Sequence, residues 1–238
     1  MSRITQRFTS SIGSKVLVAG TGILLALFVI GHLAGNLLVY RGQEAMNSYA
    51  EALKSLGPGL WVVRAGLLAV FALHIVTAIR LNRANRAARP VRYAHEDTIQ
   101  ASWASRHMVL TGLLVLAFVA MHLAHFTLGW LDPSSYALTE TVHRNGADVE
   151  RHDVYGMMIA GFHNDVFVAL YVAAMVILGF HLSHGIGSLF QTLGFRHPTY
   201  TPVAEKASKA LAWVLAVGFL LIPLTVRLGI VGPTAANG

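Results

Sequence analysis

The stretch Val16-Leu17-Val18-Ala19-Gly20-Thr21-Gly22-Ile23-Leu24-Leu25-Ala26-Leu27-Phe28-Val29-Ile30-Gly31-His32-Leu33-Ala34-Gly35-Asn36-Leu37-Leu38-Val39 runs for 24 residues without a charged side chain. Crossing a hydrocarbon core about 30 Å thick takes roughly 20 helical residues, so this segment is long enough to span a bilayer. It is longer than the apolar core of a signal peptide and has no A-x-A cleavage site, and it reads as a retained helix.

Four more apolar runs follow, at residues 60–79, 108–130, 166–190 and 210–230. With 16–39 they predict an all-α integral membrane bundle of five transmembrane helices, formed by a single membrane domain over residues 1–238. The composition agrees: 12% of residues are charged and 55% hydrophobic, whereas an ordinary soluble domain carries about 25% charged residues. The sequence contains no cysteine. That excludes disulfides, thiolate metal sites, Cys-ligated iron–sulfur clusters and covalent haem attachment through C-x-x-C-H. Any redox metal must therefore be held by nitrogen, oxygen or thioether ligands.

The net charge of +7 does not point to nucleic acid, because the cations cluster in short segments beside apolar runs, as the positive-inside rule expects. With the N-terminus inside, the inner segments hold Arg3, Arg7, Lys15, Arg80, Arg83, Arg86, Arg89, Arg92, Arg106, Arg196, Lys206 and Lys209. The outer segments hold Arg41, Lys54, Arg64, Arg144, Arg151 and Arg227. The ratio of twelve to six predicts an N-terminus inside and a C-terminus outside. The connection 129–165 is then a long outer loop, acidic through Asp132, Glu140, Asp148, Glu150 and Asp153. Arg80 to Arg92 becomes a basic inner loop suited to anionic lipid or a docked partner.

Twelve histidines are present. His95, His143, His152, His163 and His197 fall in loops, and His107 stands at a helix entrance, where solvation or an interfacial position explains them. Histidines inside a span need a partner and are functional candidates by default. They are His32, His74, His122 with His125, and His181 with His184. At about 1.5 Å per residue from the inner end of each span, His32 lies roughly 24 Å deep, His122 roughly 21 Å, His74 roughly 8 Å and His181 roughly 13 Å. Two pairs at two depths suit two bis-histidine haems, each iron taking one axial imidazole from each side. Gly31 and Gly35 beside His32, Ala78 beyond His74 and Gly185 beyond His181 let a flat macrocycle or another helix come close. The spans have essentially no carboxylates for a di-iron centre or a cation path, and no Walker or G-x-G-x-x-G motif occurs.

The segments Phe28-Val29-Ile30-Gly31-His32-Leu33-Ala34-Gly35-Asn36, Arg41-Gly42-Gln43-Glu44-Ala45-Met46-Asn47-Ser48, Ala72-Leu73-His74, and Phe180-His181-Leu182-Ser183-His184-Gly185 running to Phe190-Gln191-Thr192-Leu193-Gly194 carry a resemblance. Over most of the chain they are similar to the five-helix cytochrome b558 subunit of succinate dehydrogenase and fumarate reductase, and the motif at His181 is the most specific. The resemblance implies two haem b groups, with His32 and His122 ligating the distal one and His74 and His181 the proximal one. His184 then lies beside the proximal group and Arg106, in Ser105-Arg106-His107, is a candidate partner for a propionate.

It further implies a membrane anchor of succinate:quinone oxidoreductase, passing electrons from flavoprotein and iron–sulfur subunits to quinone, with menaquinone the expected acceptor. The expected setting is the bacterial cytoplasmic membrane, and the chain alone does not oxidise succinate. Tyr40, Glu44 and Asn47 are candidates for a quinone site by position. The competing readings are a di-haem cytochrome b for another quinone-linked dehydrogenase, and a haem-free transporter or scaffold whose histidines bond across helices.

Overall fold

A computed structural model describes residues 10–88, 102–195 and 197–232. The chain is all-α, with a small hairpin in the connection after the third span. The order is α1 (Ser11–Asn36), a 3-10 turn (Leu37–Arg41), α2 (Gln43–Lys54), α3 (Pro58–Ala87), α4 (Trp103–Arg106) and α5 (Met108–His122), which ends in a π turn (Leu123–Thr127). Then come α6 (Pro133–Tyr136), β1 (Thr139–Arg144), β2 (Ala147–His152), α7 (Val154–Gly161), α8 (Asp165–Thr192) and α9 (Thr201–Arg227).

Five helical stretches, Ser11–Arg41, Pro58–Ala87, Met108–Thr127, Asp165–Thr192 and Thr201–Arg227, are long and apolar enough to cross a membrane, making this a multi-pass membrane protein. Their large apolar side chains are widely exposed, Leu24, Trp61, Leu68, Leu110, Val166 and Val214 among them. Lipid is the solvent that accommodates such a surface.

The helices overrun the apolar segments, most of all at the end of the second span and the start of the fifth. α3 continues through Arg80, Arg83 and Arg86, and α9 begins at Thr201, ahead of Glu205, Lys206 and Lys209. Hydropathy marks the part that crosses lipid, whereas the helix itself continues wherever good helix formers follow, and Ala, Arg, Leu, Glu and Lys are among the best. The third span stops short of the expected Trp130 because the chain widens into the π turn and then turns at Gly129, whose φ is +66°. The Tyr136 ring occupies the space a Cβ at Gly129 would take.

The connection 129–165 is built rather than loose. Asp132 caps α6 by accepting from Ser135 N, with Pro133 opening the helix, and Asp153 caps α7 by accepting from Gly156 N. Between them β1 and β2 pair antiparallel from Thr139↔His152 to Arg144↔Ala147. Their two-residue turn, Asn145-Gly146, takes φ values of +52° and +79°, the left-handed pair that closes a tight hairpin.

The chain divides into two compact units. One comprises residues 1–29, 64–113 and 178–214, and its described buried residues are small: Ala19, Ala104, Gly179 and Ala212 with Thr21, Thr77, Thr111 and Ser208. The other comprises 30–63, 114–177 and 215–238 and has a core of large side chains, including Val39, Met46, Tyr155, Met158, Phe162, Tyr171, Ile222 and Val226. Among the cations used for orientation, Arg3, Arg7, Arg89, Arg92 and Arg196 lie outside the described residues, as does His95.

Candidate functional site

The first unit contains His74 on α3 and His181 on α8. His74 Nδ1 lies 3.0 Å from Thr21 Oγ1 of α1, and His181 Nδ1 lies 3.2 Å from Thr111 Oγ1 of α5. Beside each threonine stands a glycine under the imidazole: a Cβ at Gly22 would meet His74 Cε1 at 3.5 Å, and one at Gly112 would meet His181 Cε1 at 3.3 Å. The two histidines are thus seated alike, each by a Thr-Gly pair on a different helix. His184, one turn beyond His181, is half-buried in the same unit. Gly185 and Gly187 have no neighbouring atom within 4 Å of an added Cβ, so close packing of the described chain does not require their smallness.

The second unit contains His32 on α1 and His122 at the end of α5. Their ring centroids are 5.9 Å apart with planes at 80°. Phe219 lies 5.7 Å from His32, and Phe118 lies 5.8 Å from His122. His122 Nδ1 is 3.0 Å from the Tyr171 hydroxyl, which is also 3.2 Å from His125 Nδ1. His125 is hemmed in by protein: its ring stacks on Phe126 at 4.0 Å and on Phe167 at 3.9 Å, and an added Cβ at Gly161 would fall 3.2 Å from its Nε2. Only 2% of His125 is exposed, and its Nε2 has no hydrogen-bond partner among the described residues. His122 and His125, neighbours on the same stretch, thus differ in setting: His122 lies beside His32, whereas His125 is sandwiched between Phe126 and Phe167.

Around His32 the two glycines separate. A Cβ at Gly35 would strike the Tyr49 ring of α2 at 2.7 Å, whereas one at Gly31 would meet nothing within 4 Å. Gly35 serves helix packing and Gly31 does not. Arg106 is exposed at the end of α4. Its neighbour His107 stacks on Trp103 at 4.2 Å and places Nδ1 2.8 Å from the Trp103 carbonyl.

The segment Gln43 to Ser48 turns out to clamp the loop after the third span. Asn47 Nδ2 donates to Glu140 Oε1 (2.5 Å) and Asp153 Oδ1 (2.8 Å), and its Oδ1 accepts from Tyr155 N (2.8 Å). Gln43 Nε2 donates to Asp153 Oδ2 at 3.1 Å. Arg151, with 6% of its side chain exposed, donates through Nε to Glu140 (2.6 Å), through Nη1 to Ser48 (3.1 Å), and also pairs with Glu44 and Glu51. Burial alone lowers the Arg151 guanidinium pKa, but hydrogen bonds to Glu44 and Glu140 outweigh it and hold the value above the ordinary one. Asn47 thus has its amide engaged in structure, and Glu44, with 75% of its side chain exposed, accepts from Arg151 and Ser48. Tyr40 is exposed with its hydroxyl 3.1 Å from Thr225 Oγ1.

Reading the histidines alone missed Thr21, Thr111 and Tyr171. A signal for the first two lies in the sequence. Thr21-Gly22-x-Leu24-x3-Phe28-Val29-x2-His32-Leu33-Ala34 repeats as Thr111-Gly112-x-Leu114-x3-Phe118-Val119-x2-His122-Leu123-Ala124. The hydroxyl residues are legible as a repeat; what they touch is not.

The spacing of His32 and His122 fits a haem. An imidazole nitrogen binds a metal at about 2 Å, so an iron between two axial histidines needs ring centres about 6 Å apart, close to the His32–His122 separation. No group of three or more His, Asp or Glu that could hold a bare ion occurs among the described residues. A metal bringing its own macrocycle needs only two protein ligands.

A relative from Bacillus subtilis (strain 168), the succinate dehydrogenase cytochrome b558 subunit, is 24% identical to this chain over 208 residues, covering 85% of this chain and 88% of the relative. No protein-family model matches, and no solved structure matches.

Proposed function

We propose that this chain is the di-haem cytochrome b membrane anchor of a succinate:quinone oxidoreductase, receiving electrons from an iron–sulfur subunit and delivering them to membrane quinone. The observation that carries the reading is the division of the six span histidines between the two compact units, His74, His181 and His184 in one and His32, His122 and His125 in the other. In three of the four proposed ligands, Nδ1 meets a hydroxyl from another helix, and for His74 and His181 that hydroxyl donates to its own helix, which leaves Nε2 for a metal. Similarity to the Bacillus subtilis subunit over most of both chains supports the choice of complex.

On this reading His74 and His181 hold one haem b and His32 and His122 the other. His184 borders the first haem, and Arg106 offers its guanidinium to a propionate. Bound iron would supply reversible one-electron chemistry at each pair. The chain's own part is to hold the imidazoles in one tautomer, to surround them with Phe118, Phe219 and small residues, and to keep water away through its lipid-facing apolar surface. Menaquinone is the proposed acceptor, and the proposed setting is the bacterial cytoplasmic membrane with the N-terminus inside. The flavoprotein and iron–sulfur subunits would dock on the inner face.

The test is a pyridine haemochrome assay and subunit identification on protein purified from its native membrane. The expected result is two haem b per chain with flavoprotein and iron–sulfur subunits copurifying. One haem or none breaks the di-haem reading, and a different dehydrogenase copurifying breaks the assignment of the complex.

A further inference from the structure

We infer that Thr21 and Thr111 are positioning residues that lock His74 and His181 in the same tautomer, Nδ1–H with a free Nε2 lone pair, so that both imidazoles present Nε2 to one haem iron. The inference rests on the di-haem reading above and adds to it the residues that orient its ligands.

The case begins with the hydroxyl protons. A threonine hydroxyl has one proton to donate and two lone pairs to accept with. Thr21 Oγ1 donates to carbonyls of its own helix, Leu17 O at 2.7 Å or Val18 O at 3.1 Å. Thr111 does the same toward His107 O at 3.1 Å or Met108 O at 3.2 Å. With the proton on a backbone carbonyl, each Oγ1 faces its histidine as an acceptor. The Nδ1 atoms at 3.0 and 3.2 Å must then carry the hydrogens. A neutral imidazole has only one N–H, so Nε2 is left as the lone-pair donor.

Histidine ligands commonly give their second N–H to a carboxylate or carbonyl, which fixes the tautomer and raises ligand basicity. These spans lack carboxylates at that depth; a buried threonine, 6% exposed at 21 and 2% at 111, supplies a neutral acceptor, joined at His74 by a hydrogen bond to the Val18 backbone. The adjacent Gly22 and Gly112 let the rings settle against the helix backbone where the hydroxyl can reach them. The duplicated Thr-Gly segment gives α1 and α5 a double duty: each carries a histidine of one pair and, eleven residues earlier, the acceptor that braces a histidine of the other. Tyr171 is different. Its single hydroxyl lies between two Nδ1 atoms and can donate to only one of them, so it does not by itself fix the His122 tautomer.

The test uses the full complex in native membranes, with Thr21→Val and Thr111→Val removing the hydroxyl at nearly constant shape and Thr21→Ser and Thr111→Ser keeping it. Haem content, the visible spectrum and redox titration of each component are read. Both valine variants should move the component that His74→Ala removes, raising its midpoint potential because the ligand donates less electron density once its N–H loses the threonine acceptor. They should also weaken retention of that haem about 10–100-fold. The other component should stay where it was, and both serine variants should match wild type.

Unmoved potentials in the valine variants, effects of Thr21→Val and Thr111→Val on different components, or serine variants that behave like valine would each overturn the inference. If a valine variant does not accumulate, alanine and serine at that position decide: a shift in alanine alone supports the bracing, and any other pattern overturns it. A haem-free wild type overturns the di-haem reading and the bracing together, whereas a two-haem wild type with unmoved variants overturns the bracing alone.

Discussion

In the unit that contains His74 and His181, the described buried residues are alanines, threonines, a serine and a glycine, while the unit that contains His32 and His122 buries methionine, tyrosine, phenylalanine and isoleucine. The first seats its histidines with aliphatic hydroxyls bonded to their own helix, which leaves each acceptor one role. The second seats His122 on a phenol shared with His125, and it adds a clamp of buried Arg151 against Glu44, Glu51 and Glu140 over the same unit. A histidine site can thus be held rigid in two ways. Local backbone-bonded hydroxyls need no elaborate loop, whereas a shared phenol in an aromatic cluster comes with a structured connection packed around it. The difference makes separate perturbation of the two pairs possible.

The largest expected effect tests whether the pairs are separate. His74→Ala and His181→Ala should abolish the same spectral component, and His32→Ala and His122→Ala the other, with roughly one haem of two lost in each, read by haemochrome assay and low-temperature spectra. Loss of a haem in His184→Ala but not His181→Ala, or in His125→Ala but not His122→Ala, would break the pairing. Next comes the clamp. Arg151→Ala leaves partly buried carboxylates without their cation and should cost about 3 kcal/mol, the lower end of the range for breaking a buried pair because Glu44 and Glu51 are partly exposed. Hydrogen exchange should quicken across 139–161 and stay unchanged in α3; protection lost equally in both would show that the two units are not distinct in stability.

Tyr171→Phe should cost about 1 kcal/mol as the shared hydroxyl is lost. It should shift only the component that depends on His122, and a shift in the other component would erase the contrast between the two seats. The smallest effect is that of pH. The Ser48 hydroxyl and then Arg151 hold the Glu44 carboxyl below its ordinary value near 4.5. A carboxyl lowered on folding contributes stability above its ordinary value and loses it as pH falls through the lower folded one. Hairpin protection should therefore be flat near neutrality and decline only below about 4.5, less steeply at high salt, when followed by exchange at 139–152. A decline that starts above that value would show that the Glu44 carboxyl is not the group that governs hairpin protection.

Five spans and the intramembrane histidines were legible in the sequence because each depends on a one-dimensional quantity: the length of an uncharged run, and the cost of a polar group within it. Asn145-Gly146 carries a hairpin signal of the same local kind. The true ends of α3 and α9 were not legible from hydropathy, because a helix continues past the lipid boundary wherever its residues favour it. Nor were the partners of the histidines. Asn47, named by position as a quinone candidate, turned out to be a structural amide bound to Glu140, Asp153 and Tyr155.

What this sequence determined by itself is therefore the class of protein and the kind of ligand it can offer, since apolar length and residue chemistry act along the chain without regard to fold. Which residue meets which was decided by tertiary structure alone. Thr21 is 53 positions from His74, Thr111 is 70 from His181, and Tyr171 is 49 from His122. A hydrogen bond requires its two atoms within about 3 Å and suitably directed. Only the packing of one helix against another sets that distance, and so it is packing that decides which hydroxyl each imidazole meets.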